Sequence, residues 1–309
     1  MRRGPTLAAG LLAGTALDAL VGDPRRGHPV AVFGQAASML EHRVWRDSRT
    51  SGVLFAAGCV GAAVSVGARL ERAAGPRGYS LVVALATWTV LGSESLRREA
   101  HALHDLLVRH ELAAARERLT HLVGRDTSSL DESGIARAAV ESVAENSSDA
   151  VVAPLMWGAL AGLPGLLGYR AVNTLDAMVG HRSVRYRRFG WASARLDDLA
   201  NLVPARATAA LVALVSARPR EVLLVVRRDA RRHPSPNSGW CEAAFAGALG
   251  LRLGGLNSYG GRVEQRPALG DGRPARAADL PRAARLNARV TLAAALAAAA
   301  VAIAAGGRR

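Results

Sequence analysis

Three acidic residues, Glu141, Glu145 and Asp149, follow one another at intervals of four. On an α-helix this spacing places all three carboxylates along one stripe, where like charges repel. The stripe therefore predicts a bound cation, and Mg2+, held by a few protein oxygens and water, is the natural candidate. The alternative is a solvated face neutralised by nearby arginines. The apolar run 151–154 follows directly, which favours a functional site.

A second acidic segment covers 169–198. Asn173 and Asp176 share a helical face, and Arg195 precedes the adjacent pair Asp197 and Asp198. Paired acids beside apolar sequence indicate either a bound cation or an ion pair with arginine. The spacing leaves both interpretations open.

A third polar segment runs from His233 to Glu242 and is followed by a glycine-rich stretch over 254–260. Turns of small and amide-bearing residues expose backbone N–H groups that can bind an anion, especially where Asn237 or Ser238 precedes a helix. The stretch has no Gly-Lys-Ser/Thr, so it is not a phosphate-binding P-loop.

The three polar segments lie between or beside long apolar stretches, which must position them. Several of these stretches approach the roughly 20 residues needed to cross a bilayer. They lie at 5–21, 53–69, 79–95, 150–171, 199–216 and 290–306. We predict four firm transmembrane helices, at 5–21, 53–69, 79–95 and 290–306. Asp18 favours a retained first helix over a cleaved signal peptide. Proline and glycine within 150–171, and Pro204 with Arg206 in 199–216, predict broken or re-entrant segments.

The predicted fold is thus an all-α polytopic integral membrane protein with helical cytoplasmic regions, and 1–309 form a single membrane domain. Leucines near helical spacing predict an amphipathic helix pair over 96–123. Segments 96–149 and 217–289 are long and basic, and we place them on the cytoplasmic face, where they contribute to the active site.

The formal net charge of +15 suits anionic headgroups or phosphorylated substrates. No zinc-finger spacing, aromatic-rich sheet signature or long basic tail accompanies it, so we predict no nucleic-acid partner. The two cysteines are far apart in sequence and indicate neither a disulfide framework nor a cysteine zinc site.

Taken in order, the polar segments resemble the CobD/CbiB family, the adenosylcobinamide-phosphate synthases of cobalamin biosynthesis. The resemblance is carried by motifs across nearly the whole chain, with Cys241 standing where the family would have proline. The matching motifs are Gly22-Asp23-Pro24 with His28-Pro29, Glu141 through Pro154, Tyr169-Arg170 through Gly180, Phe189-Gly190-Trp191, Ala194 through Asp198, and Pro236-Asn237-Ser238-Gly239 through Tyr259.

The resemblance implies an ATP- and Mg2+-dependent ligase of the plasma membrane with its active site facing the cytoplasm. It would join adenosylcobyric acid to (R)-1-amino-2-propanol or its O-phosphate through an amide bond. Its implied partners are the corrinoid, the amine, the lipid bilayer and other membrane-bound enzymes late in the pathway. The arginines would bind phosphate or carboxylate groups bidentately.

Under this hypothesis three sets of site residues are predicted. The metal ligands are Glu141, Glu145, Asp149, Asp197 and Asp198. The catalytic residues are Glu141, Glu145, Asp149 and Asp198. The substrate-binding residues are Arg125, Asn146, Arg170, Asn173, Asp176, Arg195, Asn237, Ser238, Gly239, Glu242, Asn257 and Tyr259.

Two alternatives fit parts of the pattern. A transporter would use Asp18 and the broken segments as a substrate path, although most polar clusters lie in long loops and no inverted repeat is visible. A membrane phosphotransferase acting on a lipid headgroup would also use acidic clusters at the interface.

Overall fold

The computed structural model describes residues 3–24, 27–181, 183–259 and 262–306, and for 257–259 and 262–264 it describes the backbone alone. The chain forms two compact units, each assembled from separate parts of the sequence. Unit 1 comprises Met1–Gly92, Asp149–Leu202 and Ala294–Arg309, and unit 2 comprises Ser93–Ser148 and Val203–Ala293. The prediction that 1–309 act as a single membrane domain stays a prediction.

Unit 1 is built from helices. They are α1 (Arg3–Val21), α2 (Pro29–Val44), α3 (Arg49–Ala73), α4 (Gly75–Val90), α8 (Ala153–Leu175), α9 (Trp191–Ala200) and the end of α13 (Asp279–Gly306). Two π-helical turns, Ser148–Val152 and Asp176–Gly180, flank α8.

Small residues let α1 and α4 approach closely. A Cβ atom at Gly10 would lie 2.6 Å from the Val83 side chain, and one at Gly14 would lie 2.5 Å from the Ala84 carbonyl oxygen. The later glycine of α1 meets the later residue of α4, so the two helices run parallel. Glycines spaced four apart serve this purpose in membrane helices, where backbone proximity replaces the hydrophobic driving force.

Helix α8 reverses direction near its middle. Ala161 and Gly162 leave helical geometry, and Gly162 has a φ of 63°. A Cβ atom at Gly165 would lie 2.3 Å from the carbonyl oxygen of Trp157, whereas residues eight apart on a straight helix are separated by about 12 Å. The two halves of α8 therefore form a helical hairpin. The prediction that 150–171 is broken is confirmed.

Four helical stretches are long and apolar enough to cross a membrane in the described part of the chain: Arg3–Val21, Arg49–Ala73, Glu132–Gly180 and Asp279–Gly306. The third contains the α8 hairpin. A fifth span is possible if the pair Trp191–Ala200 and Leu202–Val215, bent between its helices, is one span. The prediction of a break within 199–216 is therefore also confirmed. The chain is an all-α polytopic membrane protein.

The predicted span at 79–95 was wrong in extent. Helix α4 has 16 residues and ends at Val90, Leu91 is extended, and the next helix begins at Ser93. The apolar pattern continued across this break because Leu91 and Gly92 are not polar. With 16 residues, α4 is therefore not among the helices long enough to cross a membrane.

Unit 2 contains shorter helices and one β-hairpin. They are α5 (Ser93–Val108), α6 (Leu112–Leu119), α7 (Glu132–Ser147), α10 (Leu202–Val215, from Val203 onward), α11 (Pro219–Asp229), α12 (Ser238–Leu249), β1 (Leu253–Tyr259), β2 (Arg262–Leu269) and the first half of α13. Helices α5 and α6 confirm the pair predicted over 96–123, and Leu96, Leu103, Leu107 and Leu119 are buried.

The hairpin adds a short β-structure to the region 217–289, where the sequence predicted helical cytoplasmic structure and no strand. Strands β1 and β2 pair antiparallel, with an irregular register between Leu253 and Gly255. Gly254 and Gly255 have φ values of 81° and 98° there, a conformation that glycine adopts without strain. The glycines predicted to form a turn instead form a β-bulge.

Candidate functional site

A chain of hydrogen bonds in unit 1 joins residues from three of the family-like motifs. An Arg170 nitrogen donates to Asn173 Oδ1 (3.3 Å), and the Asn173 amide donates to Asp197 Oδ1 (3.4 Å). From the other side, the Asn201 amide donates to Asp197 Oδ2 (3.0 Å). Asp197 thus accepts hydrogen bonds on both carboxylate oxygens, which fixes the orientation of the carboxylate.

Tyr169 extends this network across the α8 hairpin. Its buried hydroxyl donates to Asn201 Oδ1 at 2.9 Å and lies 3.2 Å from the Asp149 carbonyl oxygen. Because Asp149 and Tyr169 lie on opposite arms of the hairpin, the reversal at Gly162 is what brings them together. The hydroxyl thereby ties the start of α8 to α9.

Further acidic side chains surround Asp197. Asp176 lies within electrostatic range of both Asp197 and Asp198, and Arg195 donates to Asp198 at 3.3 Å. The ion pair that the sequence left open is therefore present for Asp198. Asp176 begins the π-helical turn after α8, which places its carboxylate toward α9.

The loop between α1 and α2 also approaches this network. Asp23 lies within electrostatic range of Arg170, as does the His28 imidazole. The His28 Nδ1 atom accepts from the Val30 backbone N–H (3.2 Å) and caps the start of α2. Burial lowers the pKa of His28, and Arg170 lowers it further against an opposing effect of Asp23.

A separate polar cluster lies in unit 2, centred on Glu141. Its carboxylate accepts from Arg125 at 2.6 Å and from the Gly254 backbone N–H at 2.8 Å. Both side chains are almost fully buried, with 6% of Arg125 and 2% of Glu141 exposed. The Gly254 backbone N–H, in the glycine-rich segment, is thus used by the protein's own Glu141 carboxylate, and binding of an external anion there stays a prediction.

Glu242 is a second deeply buried acid of this cluster, 1% exposed. Burial raises its pKa well above the ordinary value, and the carboxylates of Glu141 and Glu145 raise it further. Its Oε1 atom lies 3.4 Å from His233 Nε2. The Ser235 backbone N–H donates to His233 Nδ1 (3.0 Å), which fixes the orientation of the imidazole ring.

His233 stays neutral near physiological pH. Burial lowers its pKa, and the guanidinium of Arg266, 3.3 Å from Nε2, lowers it further. The pair His233 and Glu242 therefore stores no net charge when both groups are neutral.

The remaining predicted residues surround the start of α12. Asn237 is buried and precedes the helix, as predicted, and the Ser238 hydroxyl donates to Ser235 Oγ at 3.2 Å. A Cβ atom at Gly239 would lie 2.3 Å from the Ala230 carbonyl oxygen, so glycine is needed for packing. The Asn146 amide donates to the Ser142 carbonyl (3.0 Å).

The side chains of two predicted residues, Asn257 and Tyr259, lie outside the described part of the structure. Their backbones lie in β1, opposite Glu264 and Arg262 respectively. Their predicted contacts with substrate stay predictions.

The predicted metal ligands are divided between the two units: Glu141 and Glu145 belong to unit 2, and the three aspartates to unit 1. Helix α7 ends at Ser147 and Asp149 lies in a π-helical turn, so the predicted stripe of three carboxylates on one α-helix is wrong at Asp149. Among the described residues, no three His, Cys, Asp or Glu side chains are arranged to hold one metal ion. The metal roles of these residues stay predictions.

Sequence reasoning missed several residues of both clusters. Tyr169, Asn201 and Asp23 in unit 1, and His233 and Arg266 in unit 2, were not assigned to the site. Tyr169 and Asp23 stand inside the motifs that carry the family resemblance, and this was the available signal. Asn201 follows Asp197 by four residues, the helical spacing at which two side chains meet, whereas Arg266 has no local pattern that marks it.

The helices, the α8 hairpin and the two polar clusters define a polytopic membrane protein with built-in polar sites rather than a simple anchor. Comparison with known proteins identifies its family. The profile of the CobD/CbiB protein family matches residues 11–287, and the chain belongs to this family.

Relatives agree over most of their length. The cobalamin biosynthesis protein CobD of Mycobacterium tuberculosis is 52% identical over 286 residues, which cover 91% of each chain. The protein of the same name from Rhodobacter capsulatus is 45% identical over 287 residues, covering 89% of this chain and 91% of the relative. No solved structure matches. Membership of the family gives the chain a role in cobalamin biosynthesis.

Proposed function

We propose that this chain catalyses amide-bond formation between adenosylcobyric acid and (R)-1-amino-2-propanol or its O-phosphate, with ATP and Mg2+. The products are adenosylcobinamide or its phosphate. The observation that carries the proposal is the unit 1 network, in which motifs distant in sequence converge on Asp197. Membership of a family of cobalamin biosynthesis proteins supports a corrinoid as the substrate.

The chemistry requires activation of the corrinoid carboxylate, because joining a carboxylate to an amine in water is uphill. In the proposed route a carboxylate oxygen attacks the γ-phosphorus of ATP and ADP leaves. The amine nitrogen then attacks the acyl carbon, phosphate leaves, and the proton of the incoming ammonium passes to a base. Arg170 is placed to bind a phosphate or carboxylate oxygen, since a guanidinium suits both groups.

The donor set of unit 1 fits Mg2+. Its side chains offer carboxylate and amide oxygens, which a hard cation prefers, and Mg2+ in phosphoryl-transfer sites uses one or two carboxylates plus water and substrate phosphate. Asp197 fits this role best, and Asp198 could complete the site, because its 3.3 Å ion pair with Arg195 lies at an exposed position where water and a cation can reach the carboxylate. Glu141 fits less well, because its carboxylate is already ion-paired with Arg125. Bound Mg2+ would neutralise phosphate charge.

The other predicted residues take supporting roles in this proposal. Glu145 and Asp149 remain candidate ligands or bases, and Asn173 and Asp176 orient the substrate amides or the amine. The unit 2 residues Asn237, Ser238 and Glu242 would contact the large corrinoid. We place the enzyme in the plasma membrane with its site facing the cytoplasm, beside other membrane-bound enzymes that act late in the pathway.

The test is a reconstituted reaction. Purified protein in lipid vesicles receives adenosylcobyric acid, aminopropanol O-phosphate or aminopropanol, ATP and Mg2+, and mass spectrometry detects the amide. We expect product with wild type, a loss of at least about 100-fold with Asp197→Asn, and wild-type rates with the exposed control Asp47→Asn. ATP-dependent labelling of a lipid without any corrinoid product would indicate the phosphotransferase instead.

A further inference from the structure

Helix α11 presents an apolar and basic face that no other part of its unit covers. One side of the helix is buried through Val222, Val226 and Asp229. On the opposite side, Leu223 is 58% and Leu224 is 68% exposed. Two adjacent leucines exposed to this extent are costly in water, because each leaves a large apolar surface solvated.

Arginines flank these leucines on the outer face. Arg220 precedes them by about one turn and Arg227 follows by one turn, and both side chains are exposed. Within the described residues neither guanidinium has a carboxylate partner. Arg228, which is also exposed, in contrast donates to Asp229 at 2.7 Å and contacts Asp271. The outer arginines are therefore available for an external anion.

The position of α11 in the chain indicates what covers this face. Helix α10 is apolar, ends at Val215 and forms part of a candidate membrane span. Helix α11 begins four residues later at Pro219 and has 11 residues, about 16 Å, too short to cross a bilayer. A short amphipathic helix that directly follows a membrane segment is suited to the headgroup region.

We propose that α11 lies on the membrane surface and binds anionic lipid headgroups. Leu223 and Leu224 enter the boundary between headgroups and acyl chains. Arg220 and Arg227 extend along the surface and pair with lipid phosphates, since long basic side chains keep their charge at the interface while their stems cover apolar surface. The bilayer offers acyl chains to the two leucines and phosphates to the two arginines, and it lies next to α11 because α10 forms part of a candidate membrane span. A protein partner would have to provide both kinds of contact.

The test measures the environment of α11 in vesicles. Leu224→Cys carries a fluorescent probe, and Ser129→Cys, an exposed position in the same unit, carries the same probe as the control. The native Cys59 and Cys241 are buried, and labelling of wild type measures their background. The protein is placed in phosphatidylcholine vesicles with or without phosphatidylglycerol, and quenching by brominated lipid is compared with quenching by aqueous iodide.

We expect brominated lipid to quench the probe at 224 several-fold more strongly than the probe at 129, with a further increase when phosphatidylglycerol is present. Arg220→Gln with Arg227→Gln should remove that further increase. Arg109→Gln with Arg276→Gln, two exposed arginines of unit 2 that also lack a carboxylate partner in the described chain, should leave it unchanged. Iodide quenching at 224 as strong as at 129 in anionic vesicles would overturn the proposal. So would protection of 224 from both quenchers in vesicles, because it would indicate that protein rather than lipid covers this face.

Discussion

The buried pair Arg125 and Glu141 offers the sharpest test of how unit 2 is stabilised. Glu141→Gln removes the negative charge but keeps the size and an oxygen that can accept from the Gly254 N–H. Arg125 would remain buried, with 6% of its side chain exposed and without its carboxylate partner at 2.6 Å. Breaking a buried ion pair by removing one partner typically costs about 3–5 kcal/mol. We expect the lower end, about 3 kcal/mol, because the second hydrogen bond is retained.

The assay is thermal unfolding of the purified protein in detergent, followed by tryptophan fluorescence. The matched control is Glu117→Gln, an exposed glutamate of α6 that makes no side-chain contact within the described residues and should unfold as wild type does. A double variant, Arg125→Met with Glu141→Leu, should recover part of the loss, because replacing both charges with apolar groups leaves no uncompensated ion.

The outcome also separates a structural role from the predicted metal role of Glu141. If Glu141→Gln unfolds at the wild-type temperature but needs much more Mg2+ for amide formation, the ion pair would not be the main function of this carboxylate. That result would refute the reasoning. A lowered unfolding temperature with an unchanged Mg2+ requirement in the folded fraction would support it.

Three further changes have defined outcomes. Gly14→Leu should prevent the close approach of α1 and α4 and sharply reduce the yield of folded protein in membranes, measured by detergent extraction and gel filtration, whereas Gly58→Leu, whose Cβ position is open, should not. Burial raises the pKa of Glu242, so the folded protein binds this proton more tightly than the unfolded chain does. The contribution of Glu242 to stability is therefore fully present below its ordinary pKa of 4.5 and is lost as the pH rises toward the folded-state pKa. Glu242→Gln should flatten the resulting decline of the unfolding temperature with pH. Tyr169→Phe removes the hydroxyl that hydrogen-bonds Asn201, and it should lower the free energy of unfolding by about 1–3 kcal/mol and reduce amide formation. Unchanged thermal stability together with an unchanged rate would contradict the role of this network.

Much of the fold follows from local sequence patterns. The length of the apolar runs predicts α1, α3 and α13, because crossing a bilayer requires about 20 apolar residues. Pro164 and the glycines around it predict the break in α8. The limit of this reasoning is the end of α4, where Leu91 and Gly92 continue an apolar run although the backbone becomes extended at Leu91.

The site was less predictable, because helical periodicity reports only neighbours three or four residues apart. It grouped Asn173 with Asp176, and both lie near Asp197 in the structure, but it extended the stripe of Glu141 to Asp149 across a π-helical turn, where the α-helical period fails. The partner of Tyr169, Asn201, is 32 residues away and the partner of Glu141, Gly254, is 113 residues away. Contacts at such separations depend on tertiary packing rather than on spacing.

The electrostatic balance of the two clusters differs, and this difference bears on the proposed chemistry. In unit 2, Glu141 is ion-paired with Arg125, and burial raises the pKa of Glu242 and so favours its neutral form, which makes both carboxylates poor ligands for a cation. In unit 1, neither Asp176 nor Asp197 forms an ion pair with an arginine within the described residues. Asp197 is oriented instead by two neutral amides. Amide donors fix a carboxylate without cancelling its charge, which leaves it able to bind a cation. We therefore propose that Mg2+ binds in unit 1, and that Glu141 and Glu242 of unit 2 serve mainly to build the fold.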